Sequence, residues 1–133
     1  MFTSALIGLK PGGVTEPLTA LATGVLRSGA RVHLVALVRV GKEDDERARL
    51  SETETWLDGV AGPLTEQGYD VECHTQITVS AGSDLVRMAE TLDVELIVMG
   101  LGARSRVGKA LIGSDAQRVL LSTDRAVLCQ RVE

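Results

Sequence analysis

The sequence predicts an α/β fold in which a doubly wound, five-stranded parallel sheet carries helices on both faces. The 133-residue chain is 44% hydrophobic, enough for one core, and with one Trp, one Tyr and one Phe its apolar residues are almost all aliphatic. Strand patterns alternate with helix patterns along the whole chain, with no linker or repeat between them. Strands joined by helical crossovers lie parallel, so this alternation predicts one domain built on a parallel sheet.

The first third of the chain predicts a strand, a turn, a helix and a second strand. FTSALIGL at 2–9 is apolar, and KPGG at 10–13 is the turn after it. A helix is predicted to begin near Thr15, whose side chain can cap the first turn, and to stop at Gly29. RVHLVALV at 31–38 is a short, Val-rich run that is typical of a central strand.

The segment 42–67 predicts a long second helix. Four consecutive acids at 43–46 suit the positive end of a helix dipole, and this charge run is more simply a solvated helix start than a binding patch. Gly62 and Pro63 interrupt the segment, so we expect a kink or a break there. Gly68 is expected to end the helix.

The second half of the chain continues the alternation. Its first helix carries four apolar side chains inward at helical spacing, those of Leu85, Val86, Met88 and Ala89. The predicted elements are a strand at 69–79, a helix from about Ser83 to Leu92, a strand at 94–99, a helix from about Ser114 to Ser122 and a strand at 126–132.

Charge and hydropathy exclude several classes of function. A net charge of -4 and a pI near 5.2 provide no basic field for nucleic acid. No apolar stretch approaches the roughly 20 residues that cross a bilayer, and the first residues lack the basic region of a signal peptide. We therefore expect a cytoplasmic location, no membrane insertion and no nucleic acid partner.

The residue types that most often carry chemistry are sparse. Cys73 and Cys129 fall in apolar strand patterns without CxxC spacing, so they are interpreted as core thiols. His33 and His74 stand alone in strand patterns without a partner at metal-site spacing, so no chemistry and no metal are assigned to them. No nucleophile and base are placed together, so an enzyme is not predicted, and ATP hydrolysis would be weak and incidental.

The loop GLGARSRVGKALIGSD at 100–115 directly follows the fourth strand. Ligands of doubly wound sheets bind at the carboxyl ends of the strands, so this loop and the turn at 10–13 are candidates for a binding crevice. The loop fails the dinucleotide fingerprint at Ser105. It also fails the Walker pattern, because Ala103 replaces the first glycine and Ala110 the metal-binding hydroxyl.

A third register of the loop fits better. Twelve residues separate Gly100 from the Gly113-Ser114 pair, with a strand before and a helix after. This arrangement resembles the universal stress protein family, whose pattern is glycine, two residues, glycine, nine residues, then glycine and Ser or Thr. RVHLVALV, LVRMAETLDVELIVMG and LIGSDAQRVLLSTDRAVLCQRV also resemble segments of that family. The resemblance implies one such domain over 1–133, with a Rossmann-like, adenine nucleotide alpha hydrolase-like fold and strand order 3-2-1-4-5.

The resemblance also implies a candidate site for ATP or another adenine nucleotide, such as AMP, between the loops after strands one and four. Glycines allow a backbone to approach phosphate oxygens, and Ser114 with the free amides of the following helix start offers donors to an anion. By position, the base would face Leu37 at the end of strand two. The candidate nucleotide-binding residues are Lys10, Leu37, Gly100, Gly102, Ala103, Arg104, Gly113 and Ser114.

Three residues depart from the family pattern and leave two functions open. Lys10 stands where nucleotide-binding members usually carry Asp, Ala103 replaces the middle glycine, and Asp115 adds a negative charge beside the predicted anion site. The chain is thus either a stress-response protein that binds a nucleotide or a nucleotide-free interaction module, for example a regulatory domain of a transporter. For both, the resemblance implies a homodimer through the edge strand at 126–132.

Overall fold

The computed structural model describes residues 1–102 and 112–132. Within these ranges, strands and helices alternate as predicted. The strands are β1 (Phe2–Leu9), β2 (Leu26–Val38), β3 (Asp70–Ile77), β4 (Leu96–Leu101) and β5 (Ala126–Arg131). The helices are α1 (Leu18–Val25), α2 (Glu46–Glu66), α3 (Ala81–Thr91) and α4 (Ser114–Ser122). All strand pairs are parallel and the order is β3-β2-β1-β4-β5, so the predicted fold and strand order are confirmed.

The core consists of two layers, one on each face of the sheet. Successive strand residues point to opposite faces, so Ile7 packs in one layer and Leu6 in the other. Leu57 of α2 is fully buried in the first layer, with apolar residues of α1. The second layer contains α3 and α4, and the predicted inward face of α3 is confirmed there.

Helix α1 is shorter than predicted at both ends. It begins at Leu18 instead of near Thr15, and no side chain caps it. It ends at Val25, and the chain then enters β2, five residues before the predicted start. Strand pairing outweighs helix propensity here, because Leu26 pairs with Phe2 and is 2% exposed.

Helix α2 runs continuously to Glu66. A break at Pro63, one of the two predicted alternatives, is therefore wrong. The proline removes the hydrogen bond to the carbonyl of Gly59 and crowds that carbonyl, but Gly59 is exposed, so water can satisfy its oxygen. The prediction that Gly68 ends the helix is confirmed. Its φ is 96°, and its N–H donates to the carbonyl oxygen of Thr65 at 3.0 Å, as in a Schellman motif.

The later elements differ from prediction by one or two residues at their ends, and α4 agrees with it. The difference that affects the site is in β4, which continues to Leu101. Gly100 and Leu101 pair with Gln130 and Arg131 of β5, so Gly100 belongs to the sheet and not to a loop. None of the helices in the described ranges combines the length and apolar character that a bilayer crossing requires.

Candidate functional site

The carboxyl ends of β1, β2 and β4 border an open cleft of about 950 Å³. From β1, the chain adds β2 and β3 on one side of the sheet and then β4 and β5 on the other. The cleft lies at this change of direction, the position at which doubly wound sheets bind ligands. Buried side chains of Val35, Leu85 and Met99 contribute an apolar lining. Within 1–102 and 112–132, the cationic side chains that line it are those of Lys10, Arg39 and Arg49.

One wall of the cleft is the turn after β1. The N–H of Gly13 donates to the carbonyl oxygen of Lys10 at 2.8 Å, which closes a four-residue turn with Pro11 second and Gly12 third. The φ of Gly12 is 72°, a left-handed conformation that a β-carbon disfavours. The predicted turn is therefore present, and it leaves the exposed Lys10 at the rim of the cleft.

The opposite wall is the end of β4. A β-carbon on Gly100 would lie 2.6 Å from Cγ2 of Val132, so any larger residue here would force the side chain that follows β5 to shift. The N–H of Val132 donates to the carbonyl oxygen of Leu101 at 2.9 Å. No described residue lies within 4 Å of a β-carbon placed on Gly102, and its carbonyl oxygen accepts a hydrogen bond from Arg131 at 3.0 Å. A ligand can therefore approach the backbone closely at Gly102, whereas Val132 covers the α-carbon of Gly100.

The cleft is spanned on its third side by an ion pair. Arg39, just beyond β2, has Nη2 at 2.8 Å from Oδ2 of Asp115 in the first turn of α4. The other oxygen, Oδ1, accepts a hydrogen bond from the N–H of Gly82 at 2.9 Å. Gly82 lies in the first turn of α3, which has no capping side chain of its own, so Asp115 caps α3 from the neighbouring helix.

Arg49 of α2 is also held by a carboxylate. Its Nη1 lies 3.3 Å from Oδ2 of Asp44, and the same oxygen accepts a hydrogen bond from the N–H of Gly41 at 2.6 Å. Lys10 differs from both arginines, because no ion pair within the described parts of the chain includes it. Among the described residues of this rim, Lys10 is therefore the cation that no carboxylate holds in an ion pair.

Comparison with known proteins assigns the chain to a family. The sequence profile of the universal stress protein family matches residues 16–131. The chain belongs to the universal stress protein family. A universal stress protein from Mycolicibacterium smegmatis is 38% identical over 69 residues, which are 52% of this chain and 53% of that protein. The match thus spans about half the length of that relative.

Solved structures of other universal stress proteins share the fold. That of Archaeoglobus fulgidus in complex with dAMP has a TM-score of 0.69 at 20% identity, over 96% of this chain and 96% of that one. A universal stress protein in complex with cAMP has a TM-score of 0.66 at 18% identity, again over 96% of each chain. At such identities the likeness establishes the fold.

The structure of this universal stress protein brings four of the eight candidate residues together. Lys10, Leu37, Gly100 and Gly102 line the cleft. Gly113 and Ser114, at the start of α4, are exposed, and neither is among the described residues that line the cleft. Ala103 and Arg104 lie outside the described residues.

Sequence reasoning missed two arginines of the cleft and the role of one carboxylate. Arg39 could have been found, because it directly follows the second predicted strand at the level of the crevice. No local sequence pattern indicated Arg49, because it lies in the first turns of α2 and reaches the cleft only through the way that helix packs on the sheet. Asp115 was interpreted as a repulsive charge, but Arg39 neutralises it and its Oδ1 faces α3.

The interpretation of His33 and His74 as isolated residues is wrong. They lie on the neighbouring strands β2 and β3, with Nδ1 of His33 at 2.9 Å from Nε2 of His74. The register of these two strands brings them together, and no local pattern indicates a register. The interpretation of the cysteines holds: both are free, Cys73 packs in one core layer and Cys129 in the other, and burial raises the pKa of each thiol.

Proposed function

We propose that this universal stress protein binds an adenine nucleotide, such as ATP or AMP, in the cleft and serves as a ligand-dependent regulatory domain in a stress response. The observation that carries the proposal is that Lys10, Leu37, Gly100 and Gly102, on three different strand ends, line one cleft. A volume of about 950 Å³ is within the range of small-molecule sites. The relatives in complex with dAMP and with cAMP support an adenine nucleotide as the ligand class.

The two ends of the cleft differ in chemistry, and this difference orients the ligand. The base packs against the apolar side that includes Leu37, which is 9% exposed. Lys10 at the rim contacts a phosphate, because an ammonium group donates hydrogen bonds and cannot accept them from ribose hydroxyls. The open backbone at Gly102 admits a second phosphate contact.

The direct test is a calorimetric titration of the purified chain with ATP, ADP, AMP, cAMP and adenosine. Lys10→Ala should weaken ATP binding about tenfold, the effect of losing a hydrogen bond to a charged group, and should leave adenosine binding unchanged. Lys42→Ala is the matched control, because Lys42 is an exposed lysine outside the cleft lining. Equal losses in both variants would contradict the role of Lys10.

The ultraviolet spectrum of the purified protein provides a second readout. With one Trp and one Tyr, the chain absorbs little in the aromatic region, so a co-purified nucleotide would dominate the spectrum. A clean protein spectrum, together with no thermal shift on addition of these nucleotides, would exclude the proposal.

The second candidate is a nucleotide-free dimeric interaction module, for example a regulatory domain of a transporter. It is favoured by the position of β5 (Ala126–Arg131), which forms an open edge of the sheet next to β4. An unpaired edge strand is a template for pairing with a second chain, so we propose a homodimer through β5. Light scattering at micromolar concentration tests this, and a monomer would contradict it. Neither candidate is an enzyme, and any ATP hydrolysis would be incidental.

A further inference from the structure

A cluster of three side chains with metal-ligating atoms lies on β2 and β3, away from the cleft. The cluster consists of His33, Glu72 and His74. In the parallel register, the α-carbon of His33 is paired with that of Glu72, and His74 follows two residues later on the same face of β3. The sheet therefore presents two imidazoles and one carboxylate to a single point.

The distances within the cluster match those between ligands of one metal ion. Nδ1 of His33 and Nε2 of His74 are 2.9 Å apart and share a hydrogen bond, which a metal ion bound between the two nitrogens would replace. Two nitrogens that bind the same zinc ion at about 2.0–2.1 Å, with an angle of about 90–110°, are about 2.9–3.4 Å apart. The Glu72 oxygens lie 4.0 Å from His33 Nδ1 and 3.7 Å from His74 Nε2, so a side-chain movement of less than about 1 Å completes the set.

We propose that His33, His74 and Glu72 bind a divalent transition metal ion of the zinc class. Two imidazole nitrogens with one carboxylate suit Zn²⁺, Cu²⁺ or Ni²⁺, whereas Mg²⁺ and Ca²⁺ prefer oxygen ligands. The three side chains leave a coordination position open to water on the exposed side of Glu72. The bound ion joins β2 to the edge strand β3.

The three ligands differ in burial. His33 is 4% exposed, and this burial, followed by the neighbouring His74, lowers the pKa of its imidazole. Glu72 is exposed and can turn toward the ion. Its present partner is Arg31, whose Nη1 lies 3.1 Å from Glu72 Oε2 and whose Nε lies 2.8 Å from Asp70 Oδ2. Arg31 therefore competes with the metal for the Glu72 carboxylate.

The inference does not depend on the proposed nucleotide site. His33 precedes Leu37 by four residues on β2, and none of the three ligands lines the cleft. All measurements are therefore made without nucleotide, and their outcome leaves the nucleotide proposal unaffected.

The experiment begins with the whole chain, purified without a polyhistidine tag and dialysed against a chelator. Calorimetric titration with ZnCl₂ should give one site per chain, and MgCl₂ should give none. The chain has only two histidines, so its imidazole NMR spectrum contains only the two relevant rings. Zn²⁺ should shift the signals of both rings together, at Nδ1 of His33 and Nε2 of His74. Zinc binding that leaves both rings unshifted, or no binding at all, would overturn the proposal.

Variants at the two more accessible ligands test the same site. His74→Gln and Glu72→Gln should each weaken Zn²⁺ binding about 100-fold or more, because even residues that only support metal ligands contribute about 10–100-fold. Asp58→Asn is the matched control, because Asp58 borders the neighbouring pocket beside Cys73 and His74 but is not in the cluster. A loss in Asp58→Asn equal to that in Glu72→Gln would place the ion in that other pocket and overturn the proposal.

The competition by Arg31 provides a variant with the opposite sign. Arg31→Gln frees the Glu72 carboxylate and should tighten Zn²⁺ binding several-fold. Circular dichroism spectra identical to that of the unmodified chain establish that each variant is folded. An unchanged or weaker affinity in folded Arg31→Gln would show that Glu72 is not a ligand.

Discussion

Asp115 and Arg39 form a 2.8 Å ion pair that joins the first turn of α4 to the segment after β2. Through its other oxygen, Asp115 accepts a hydrogen bond from the N–H of Gly82, so one carboxylate connects β2, α3 and α4 at the rim of the cleft. The two parts of this contact differ in strength. The ion pair is largely exposed and contributes about 0–1 kcal/mol, whereas a helix cap contributes about 1 kcal/mol.

Substitution of Asp115 separates these two contributions. Asp115→Asn keeps an oxygen that can accept from Gly82 and loses the charge, so we expect it to lower the free energy of unfolding by about 0–1 kcal/mol. Asp115→Ala loses the cap as well and should cost about 1–2 kcal/mol. Urea unfolding followed by circular dichroism measures both. Equal losses in the two variants would contradict a capping role for Asp115.

Removal of the same negative charge also affects the proposed nucleotide site. Asp115→Asn breaks the ion pair and frees the positive charge of Arg39 to contact a phosphate, so ATP affinity should rise about two- to fivefold, or about 0.4–1 kcal/mol. Titration of the variant and of the unmodified chain with ATP measures the change. Adenosine, which has no phosphate, is the control ligand, and an equal gain for adenosine would exclude an electrostatic cause.

Gly82 is expected to tolerate no β-carbon. An added Cβ would lie 2.7 Å from the carbonyl oxygen of Asp115 and 2.9 Å from Cβ of Arg118. Gly82→Ala must therefore separate α3 from α4 and should lower the free energy of unfolding by about 1–3 kcal/mol. Gly59→Ala in α2 is the matched control, since nothing lies within 4 Å of its added Cβ, and it should stabilise the chain by about 0.5–1 kcal/mol. A Gly82→Ala variant as stable as Gly59→Ala would contradict this packing.

Asp84 should make stability depend on pH on the acid side. The hydroxyl of Thr78 donates to its Oδ2 at 2.5 Å and holds the pKa of the Asp84 carboxyl below its usual value, assisted by Arg87, whose Nη1 lies 2.7 Å from Oδ1. Because the folded-state pKa is the lower one, the stabilisation is complete above the unfolded-state value of about 3.9 and is lost as pH falls through the folded-state value.

The variant Asp84→Asn should therefore be less stable than the unmodified chain at pH 7, and the difference should shrink as pH falls below about 4. Thr78→Val is the companion variant: it should move the NMR-observed pKa of Asp84 back toward its ordinary value. Urea unfolding at a series of pH values measures the first effect. A difference between Asp84→Asn and the unmodified chain that persists unchanged into acid would contradict the assignment.

The fold class was predictable because its determinants are local. The apolar runs, the strand and helix alternation and the end of α2 at Gly68 are each encoded within a few residues. The place of the turn at Lys10 beside the cleft followed from one general property, that ligands of doubly wound sheets bind at the carboxyl ends of the strands. Leu37 was named only through the family resemblance, and it also lines the cleft. The nucleotide itself remains a prediction.

What the tertiary structure decided depends on distant parts of the chain. Helix α1 ends and β2 begins at Leu26 because that residue pairs with Phe2. Asp115 can cap α3 while it pairs with Arg39, because α3 and α4 approach closely at Gly82. His33 and His74 meet because a register sets β2 against β3, and a register is determined by which faces become buried together, a property that neither strand possesses alone.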